Sequence, residues 1–253
     1  IKMSVTAIEA LERRRTVRTR LVSVMTANNE IGTIQDIAGL ADIAHEHGAM
    51  FHTDAVQAVG HIPIDVKALD VDMLSASAHK FNGPRGIGFL YIKKGAKITP
   101  FMDGGAQENK NRAGTENTAA IVGMSIALMN NTQNMRNTSD SIRALEDLLI
   151  TKLLEAGLVF KRNGVNTLPG LISLSFPHSS GEMLLHRMDL KGICISTGSA
   201  CNGSNDEISH VMQAIRLPEE YAKGTVRISL GRHNTESDII KIAGSLKQIL
   251  TPK

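Results

Sequence analysis

Short apolar runs alternate with amphipathic patterns through the first ninety residues, and this alternation restricts the chain to few folds. Four of the runs are predicted to be strands: residues 21–26, which are short and β-branched, and residues 49–53, 71–75 and 86–92. Residues 37–44 keep apolar side chains on one helical face, with Thr33 as the predicted N-cap and Gly48 after the last turn. Strands that alternate with helices predict an α/β fold, in which helices cover a mostly parallel sheet.

The second half of the chain has a different pattern. Residues 115–129 predict a helix of small residues, and the polar residues 130–138 predict a break after it. The remaining predicted elements are a long helix up to residue 156, helices at 181–188 and 207–215, a last helix from a Thr235 cap to Leu250, and strands at 171–176 and 225–230. We therefore predict two domains, residues 1–131 and a smaller α+β domain of residues 132–253.

Composition argues against several classes of function. The chain has 28 Lys and Arg against 25 Asp and Glu, and the net charge of +3 is too small to indicate nucleic-acid binding. No apolar run approaches the ~20 residues that a membrane span requires, and residue 1 does not open a signal-peptide pattern. Two cysteines exclude a disulfide scaffold and an all-cysteine metal site. We expect a cytoplasmic α/β protein that binds no nucleic acid, membrane or metal.

Polar side chains with useful chemistry follow two of the predicted strands. Ser77, His79 and Lys80 come after the third strand, at the edge of the sheet where α/β proteins bind ligands. A lysine there suits a Schiff base, with hydroxyl and imidazole groups near a phosphate, although a lysine after a strand is also commonly solvated. Asp54 ends the preceding strand, three residues before Gln57. Its carboxylate suits a pyridinium nitrogen or the N-cap of a helix.

The two cysteines stand in different surroundings. Cys194 lies in the apolar pattern of residues 192–195, which predicts a buried, unreactive thiol on a strand. Cys201 lies in residues 196–204, which are small or polar and include two glycines. That composition predicts an exposed loop and suits a thiol that must react, although a loop cysteine can also be incidental.

Six segments together resemble the cysteine desulfurases of the NifS/IscS type, which belong to the class V aminotransferases. They are NNEIG at 28–32, HTDAVQ at 52–57, SAHKFNGP at 77–84, RAGTEN at 112–117, STGSAC at 196–201 and VRISLGR at 226–232. Their order and spacing extend over nearly the whole chain. The resemblance implies fold type I of the transferases that depend on pyridoxal 5'-phosphate (PLP). The segment around Cys201 is similar to the long-loop subgroup, rather than to the short-loop subgroup that favours selenocysteine.

The resemblance implies a role in PLP binding for five residues of the predicted large domain. Lys80 would bind the cofactor covalently and then remove the Cα proton of the substrate. Asp54 would pair with the ring nitrogen, and Gln57 would donate a hydrogen bond to the phenolic oxygen. Ser77 and His79 would hold the phosphate.

The resemblance also implies roles in substrate binding and sulfur transfer. Thr115 would reach the phosphate from the partner subunit of a homodimer. Asn29 would contact the cofactor and, with Arg227, bind the carboxylate of L-cysteine, for which a guanidinium is well shaped. Cys201 would take the substrate sulfur as a persulfide and leave alanine. A sulfur-acceptor or scaffold protein would then receive the sulfur for iron–sulfur cluster or thio-cofactor assembly.

One part of the family pattern does not match. The resemblance implies a longer N-terminal part, with a Gly-Gly-Thr phosphate cup and a histidine that stacks on the ring. Residues 1–60 contain no glycine-rich loop that opens a helix. We therefore expect the chain to correspond to the C-terminal two-thirds of such an enzyme and to bind PLP weakly by itself. The alternatives are a selenocysteine lyase, another class V aminotransferase, or a catalytically silent fragment.

Overall fold

A computed structural model describes residues 19–197 and 208–251 of the chain. These residues form two compact units. The first contains residues 19–27 and 35–135, and the second contains residues 28–34 together with the described residues after 135. None of the described helices is both long and apolar enough to cross a membrane.

The first unit is built on a four-stranded sheet. Its strands, in order across the sheet, are β1 (Leu21–Met25), β2 (Met50–Asp54), β3 (Met73–Ser77) and β4 (Gly88–Ile92). β1, β2 and β3 are parallel, and β4 is antiparallel to β3, which confirms the predicted mostly parallel sheet. The parallel strands point the same way, so Asp54 and Ser77 both stand at the C-terminal edge of the sheet.

Helix α1 (Ile37–Glu46) packs its apolar stripe on the sheet of the first unit. Its N-cap is Asp36, whose Oδ1 accepts a hydrogen bond from the backbone N–H of Gly39 at 3.1 Å. The prediction that Thr33 caps this helix is therefore wrong. Thr33 instead forms a β-bridge with Thr167 in the second unit, to which residues 28–34 belong.

The two faces of the first sheet differ in polarity. Phe51 and Leu74 are fully buried in the core that includes α1. Ser23, His52 and Ser75 occupy the alternate positions and are exposed or half-buried. Asp54 and Ser77 continue this second pattern, because side chains two residues apart in a strand share a face. The polar face of the sheet therefore leads to the predicted cofactor residues.

The long helix α2 (Thr118–Glu155) runs without interruption through residues 130–138. The predicted break there is wrong. Thr132 Oγ1 donates to the carbonyl of Leu128 at 2.8 Å, and Asn134 Nδ2 donates to the carbonyl of Asn130 at 3.0 Å. Polar side chains that would otherwise favour a loop are satisfied along the helix itself, so low helix propensity does not end it.

The second unit contains an antiparallel sheet whose strands, in order across it, are β5 (Lys161–Asn163), β6 (Leu171–Ser175), β8 (Thr225–Ser229) and β7 (Ser196–Thr197). Its helices are α3 (Gly181–Asp189), α4 (His210–Ala214), α5 (Glu219–Ala222) and α6 (Glu236–Leu250). Every residue of β6 is buried, in a core that includes residues of α2, α3 and α6. Thr235 caps α6 in a capping box, as predicted.

Candidate active site

Asp54 is the last residue of β2 and pairs in register with Ser75 of β3. Its Oδ1 accepts a hydrogen bond from the backbone N–H of Val56 at 2.9 Å, which turns the chain out of the strand. Residues 56–60 form turns rather than a helix, so the alternative that Asp54 caps a helix is wrong. Gln57 lies half-buried in these turns.

Ser77, His79 and Lys80 lie together where β3 ends. Ser77 Oγ and His79 Nδ1 are 2.8 Å apart and share a hydrogen bond. The chain continues as a short 3-10 helix, Ala78–Phe81, whose first and last residues are fully buried while His79 and Lys80 are exposed. The two buried residues anchor the turn, and the reactive side chains of His79 and Lys80 point outward.

Two long-range hydrogen bonds hold the backbone around Lys80. His61 Nε2 donates to the carbonyl of Lys80 at 2.8 Å, and Asn131 Nδ2 donates to the carbonyl of Phe81 at 2.8 Å. Gly60 permits this packing, because it has a φ of +81° and a Cβ there would lie 2.8 Å from the Cβ of Phe81. Sequence reasoning missed His61 and Asn131, because neither is close to Lys80 in the sequence.

His52 is a further polar residue on the face that carries Asp54. Its Nδ1 lies 2.8 Å from Ser23 Oγ and its Nε2 lies 3.2 Å from Ser75 Oγ, so it links three neighbouring strands. Burial lowers the pKa of His52, and the negative charge of Asp54 opposes this shift. The imidazole is therefore neutral at pH 7, with one nitrogen as a donor and the other as an acceptor.

Arg227 lies in the middle of β8, opposite Ser173 of β6 and Ser196 of β7. Its Nη1 donates to the backbone carbonyl of Asn29 at 2.8 Å. Its Nε is buried, and no group in the described parts of the chain accepts a hydrogen bond from it. A buried guanidinium donor without an acceptor suits an external carboxylate, since a carboxylate can accept two N–H groups from one arginine.

The segment that carries Asn29 is held by its own side chains and by other residues of the second unit. Asn28 Oδ1 accepts hydrogen bonds from the backbone N–H groups of Glu30 and Ile31 at 2.8 and 3.0 Å. The backbone N–H of Leu168 donates to the carbonyl of Gly32 at 2.9 Å. These hydrogen bonds fix the position of the backbone that carries the carbonyl of Asn29.

Comparison with known proteins assigns the family. The sequence model described as "Aminotransferase class-V" matches residues 2–242. This chain belongs to the class-V aminotransferase family. The family depends on PLP. The match extends over both structural units.

The similar proteins include cysteine desulfurases and a NifS-like protein. This chain is 47% identical over 234 residues to "Cysteine desulfurase IscS" of Dictyoglomus turgidum. The aligned residues cover 92% of this chain and 59% of that protein. A solved "NIFS-LIKE PROTEIN" superposes with a TM-score of 0.87 at 35% identity, over 96% of this chain and 64% of that one. The solved structure "SspA in complex with cysteine" superposes with a TM-score of 0.74 at 33% identity, over 90% of this chain and 63% of that one. The chain thus spans about three-fifths of the length of these relatives.

The residues of the first unit fit the cofactor of this family. Lys80 offers an exposed amine, Asp54 a carboxylate at the neighbouring strand end, and Ser77 with His79 a hydroxyl and an imidazole. These are the groups that an aldehyde, a pyridinium nitrogen and a phosphate require. Thr115 is exposed in the same unit, after the 3-10 turn Gln107–Lys110.

Two more of the predicted site residues, Asn29 and Arg227, lie in the second unit. Asn29 and Arg227 contact each other there. Cys201, the predicted nucleophile of this class-V aminotransferase, lies outside the described residues, as does the rest of 198–207. Its assignment stays a prediction.

The prediction that Cys194 is buried on a strand is wrong. Cys194 is a free, exposed cysteine that precedes β7. Ile193 is buried and Ile195 is half-buried, so the two isoleucines take the inward positions and leave the thiol facing outward. The thiol borders a small open pocket of about 170 Å³, lined also by Lys241 and Asp238.

We expect iodoacetamide to label Cys194 in the folded chain within about threefold of its rate in the urea-unfolded chain, because an exposed thiol needs no unfolding to react. Peptide mass spectrometry after timed labelling measures both rates. Labelling of Cys194 only above the unfolding midpoint would contradict the exposed position. The same exposure means that Cys194→Ser should change the free energy of unfolding by less than about 0.5 kcal/mol.

Proposed function

We propose that this chain supplies the cofactor-binding lysine and the reactive thiol of a PLP-dependent cysteine desulfurase. The reaction converts L-cysteine to L-alanine and leaves the sulfur as a persulfide on Cys201. The observation that carries the proposal is the unsatisfied buried Nε of Arg227, on the strand that pairs with β7. β7 ends at Thr197, directly before the segment that contains Cys201. A carboxylate-binding donor and the start of the thiol segment are therefore neighbours.

The first unit supplies the residues that would hold PLP, within a larger domain that we assign to residues 1–131. Lys80 would bind the aldehyde of the cofactor through Nζ, and Asp54 would keep the ring nitrogen protonated. Gln57 would donate to the phenolic oxygen, while Ser77 and His79 would bind the phosphate. Bound PLP supplies an electron sink that lowers the energy of a carbanion at the substrate Cα.

The residues of the chain then have separate tasks toward L-cysteine. Arg227 and Asn29 bind and orient the substrate carboxylate. Lys80 Nζ would act as the general base that removes the proton from Cα. Thr115 would complete the phosphate site of the partner subunit in a homodimer.

Cys201 acts on the substrate sulfur, within a smaller domain that we assign to residues 132–253. Its thiolate attacks that sulfur, so that a sulfur–sulfur bond forms while the Cβ–sulfur bond breaks. The electron pair of the broken bond stays with the carbon skeleton, which takes up protons and leaves as alanine. The persulfide then passes its outer sulfur to an acceptor or scaffold protein for iron–sulfur cluster or thio-cofactor assembly.

Substitution of the two cysteines tests this proposal in the intact protein that contains the chain. We expect Cys201→Ser to lower persulfide formation from L-cysteine by at least about a thousandfold, because it removes the nucleophile. Cys194→Ser is the matched control and should stay within about twofold of the parent. Persulfide is measured by mass spectrometry and alanine by amino-acid analysis. Loss of sulfur transfer in Cys194→Ser but not in Cys201→Ser would contradict the assignment.

A further inference from the structure

Thr33 is a buried residue to which the proposed mechanism gives no task. Only 1% of it is exposed, and its Oγ1 accepts a hydrogen bond from the backbone N–H of Val165 at 3.2 Å. These two residues are 132 positions apart in the sequence, and both belong to the second unit. Thr33 follows Asn29 by four positions, so its contact fixes the chain close to the proposed carboxylate site.

Residues 28–34 close on themselves as a compact loop, which we call the Asn29 loop. The backbone N–H of Asn28 donates to the carbonyl of Thr33 at 3.0 Å, and this hydrogen bond joins the two ends of the loop. The position of Thr33 therefore sets the position of the residues between them. One of these is Asn29, whose carbonyl accepts from Arg227 Nη1 at 2.8 Å.

Residues 163–168 support the Asn29 loop on both sides of the threonine. The backbone N–H of Leu168 donates to the carbonyl of Gly32 at 2.9 Å. The backbone N–H of Ile34 donates to the carbonyl of Asn166 at 3.0 Å. These bonds form an antiparallel bridge, and the side-chain bond of the threonine lies between them in the sequence of the loop.

Gly164 allows the two segments to approach each other closely. It has a φ of +84°, and a Cβ there would overlap the carbonyl oxygen of Ile31 and lie 3.0 Å from Thr33 Oγ1. Ile31 is fully buried and stands two residues after Asn29. A side chain at position 164 would therefore displace the backbone of the Asn29 loop next to the proposed carboxylate site.

We infer that Thr33 is a positioning residue that holds the Asn29 loop on residues 163–168, so that the carbonyl of Asn29 keeps Arg227 in place for the substrate carboxylate. The inference rests on the proposed desulfurase function and adds a residue to it. Without the Thr33 hydroxyl the loop shifts, Arg227 loses its fixed partner, and L-cysteine binds less tightly. The groups that we propose for proton and sulfur transfer are unchanged, so the effect falls on KM rather than on kcat.

Kinetics of two Thr33 variants in the intact protein measure this effect. Thr33→Val has a side chain of nearly the same shape without Oγ1, and we expect it to raise KM for L-cysteine about fivefold with kcat within about twofold. Thr33→Ser keeps the oxygen and should stay within about twofold of the parental KM. A parental KM in Thr33→Val would overturn the inference, and so would a KM in Thr33→Ser as high as that in Thr33→Val.

Two glycine variants displace the Asn29 loop without touching Thr33. Gly164→Ala should raise KM at least about fivefold, because the added methyl group overlaps the carbonyl of Ile31. Gly157→Ala is the matched control, since Gly157 also has a positive φ, +73°, but a Cβ there meets nothing within 4 Å. Both variants introduce similar backbone strain, so strain alone would change both equally. Equal KM values in the two variants would overturn the inference.

Amide hydrogen exchange tests the support of the loop without any turnover. We expect Thr33→Val and Gly164→Ala to speed exchange in a peptide that covers residues 28–34 at least about threefold, while Thr33→Ser and Gly157→Ala leave it unchanged. If the parent protein forms no alanine but exchange responds in this way, the desulfurase proposal fails and the role of Thr33 in holding the loop stands. Unchanged exchange in Thr33→Val and Gly164→Ala would overturn that role even if the parent is an active desulfurase.

Discussion

Lys80→Ala should remove the covalent attachment of PLP and lower the release of alanine from L-cysteine by at least about a thousandfold, in the intact protein that contains this chain. The substitution takes away the amine that we propose both to bind the aldehyde and to remove the Cα proton. The surrounding backbone should keep its shape, because His61 and Asn131 hold it through the carbonyls of residues 80 and 81.

Borohydride reduction followed by peptide mapping measures the attachment of PLP, and amino-acid analysis measures alanine. Lys94→Ala is the matched control, since Lys94 is an exposed lysine just after β4 in the same unit. It should keep parental attachment and turnover. Alanine release at the parental rate by Lys80→Ala would show that another residue carries the cofactor.

Glu146→Leu should lower the free energy of unfolding by about 2–3 kcal/mol, because it removes a buried carboxylate that accepts hydrogen bonds from partly exposed arginines and from a backbone N–H. Only 1% of the Glu146 side chain is exposed. It accepts from Arg162 Nη2 at 3.0 Å, lies 3.5 Å from Arg143 Nη1, and accepts from the backbone N–H of Gly170. Without the carboxylate, two guanidinium groups repel each other and a buried N–H has no acceptor.

The same helix supplies the control for this prediction. Glu155 also has a basic residue three positions earlier, Lys152, at 2.8 Å, but 58% of the Glu155 side chain is exposed. Glu155→Ala should therefore cost less than about 0.5 kcal/mol. Urea unfolding followed by circular dichroism compares the variants. Equal losses in the two variants would show that burial does not govern the strength of these pairs.

The residues with cofactor chemistry could be predicted because each lies next to a strand end in the sequence. Asp54 ends one short apolar run and Lys80 follows another by a few residues, so local pattern and sheet geometry together bring them to one edge. The groups that support them could not be found in this way. His61 acts on Lys80 across 19 residues and Asn131 acts on Phe81 across 50, and such contacts exist only after folding.

The wrong predictions have physical causes of the same kind. The pattern around Cys194 has the right alternation, but three apolar residues cannot show which of them turns inward. Ile193 and Ile195 turn inward, and the thiol does not. Residues 130–138 have low intrinsic helix propensity, yet the helix continues through them with side-chain bonds to its own carbonyls.

Because residues 28–34 belong to the second unit, that unit cannot be complete until residues much later in the sequence have been synthesised. Residues 28–34 are synthesised about 130 residues before the residues that they pair with, since their bridge joins Thr33 to Thr167. A contact of such sequence separation forms late in folding, because the loop that it closes must first be ordered. On the ribosome, the strand that carries Arg227 emerges after everything else in this site. The proposed carboxylate-binding pair therefore cannot form until residues 225–229 have been synthesised, and no nascent chain that stops before them can bind substrate there.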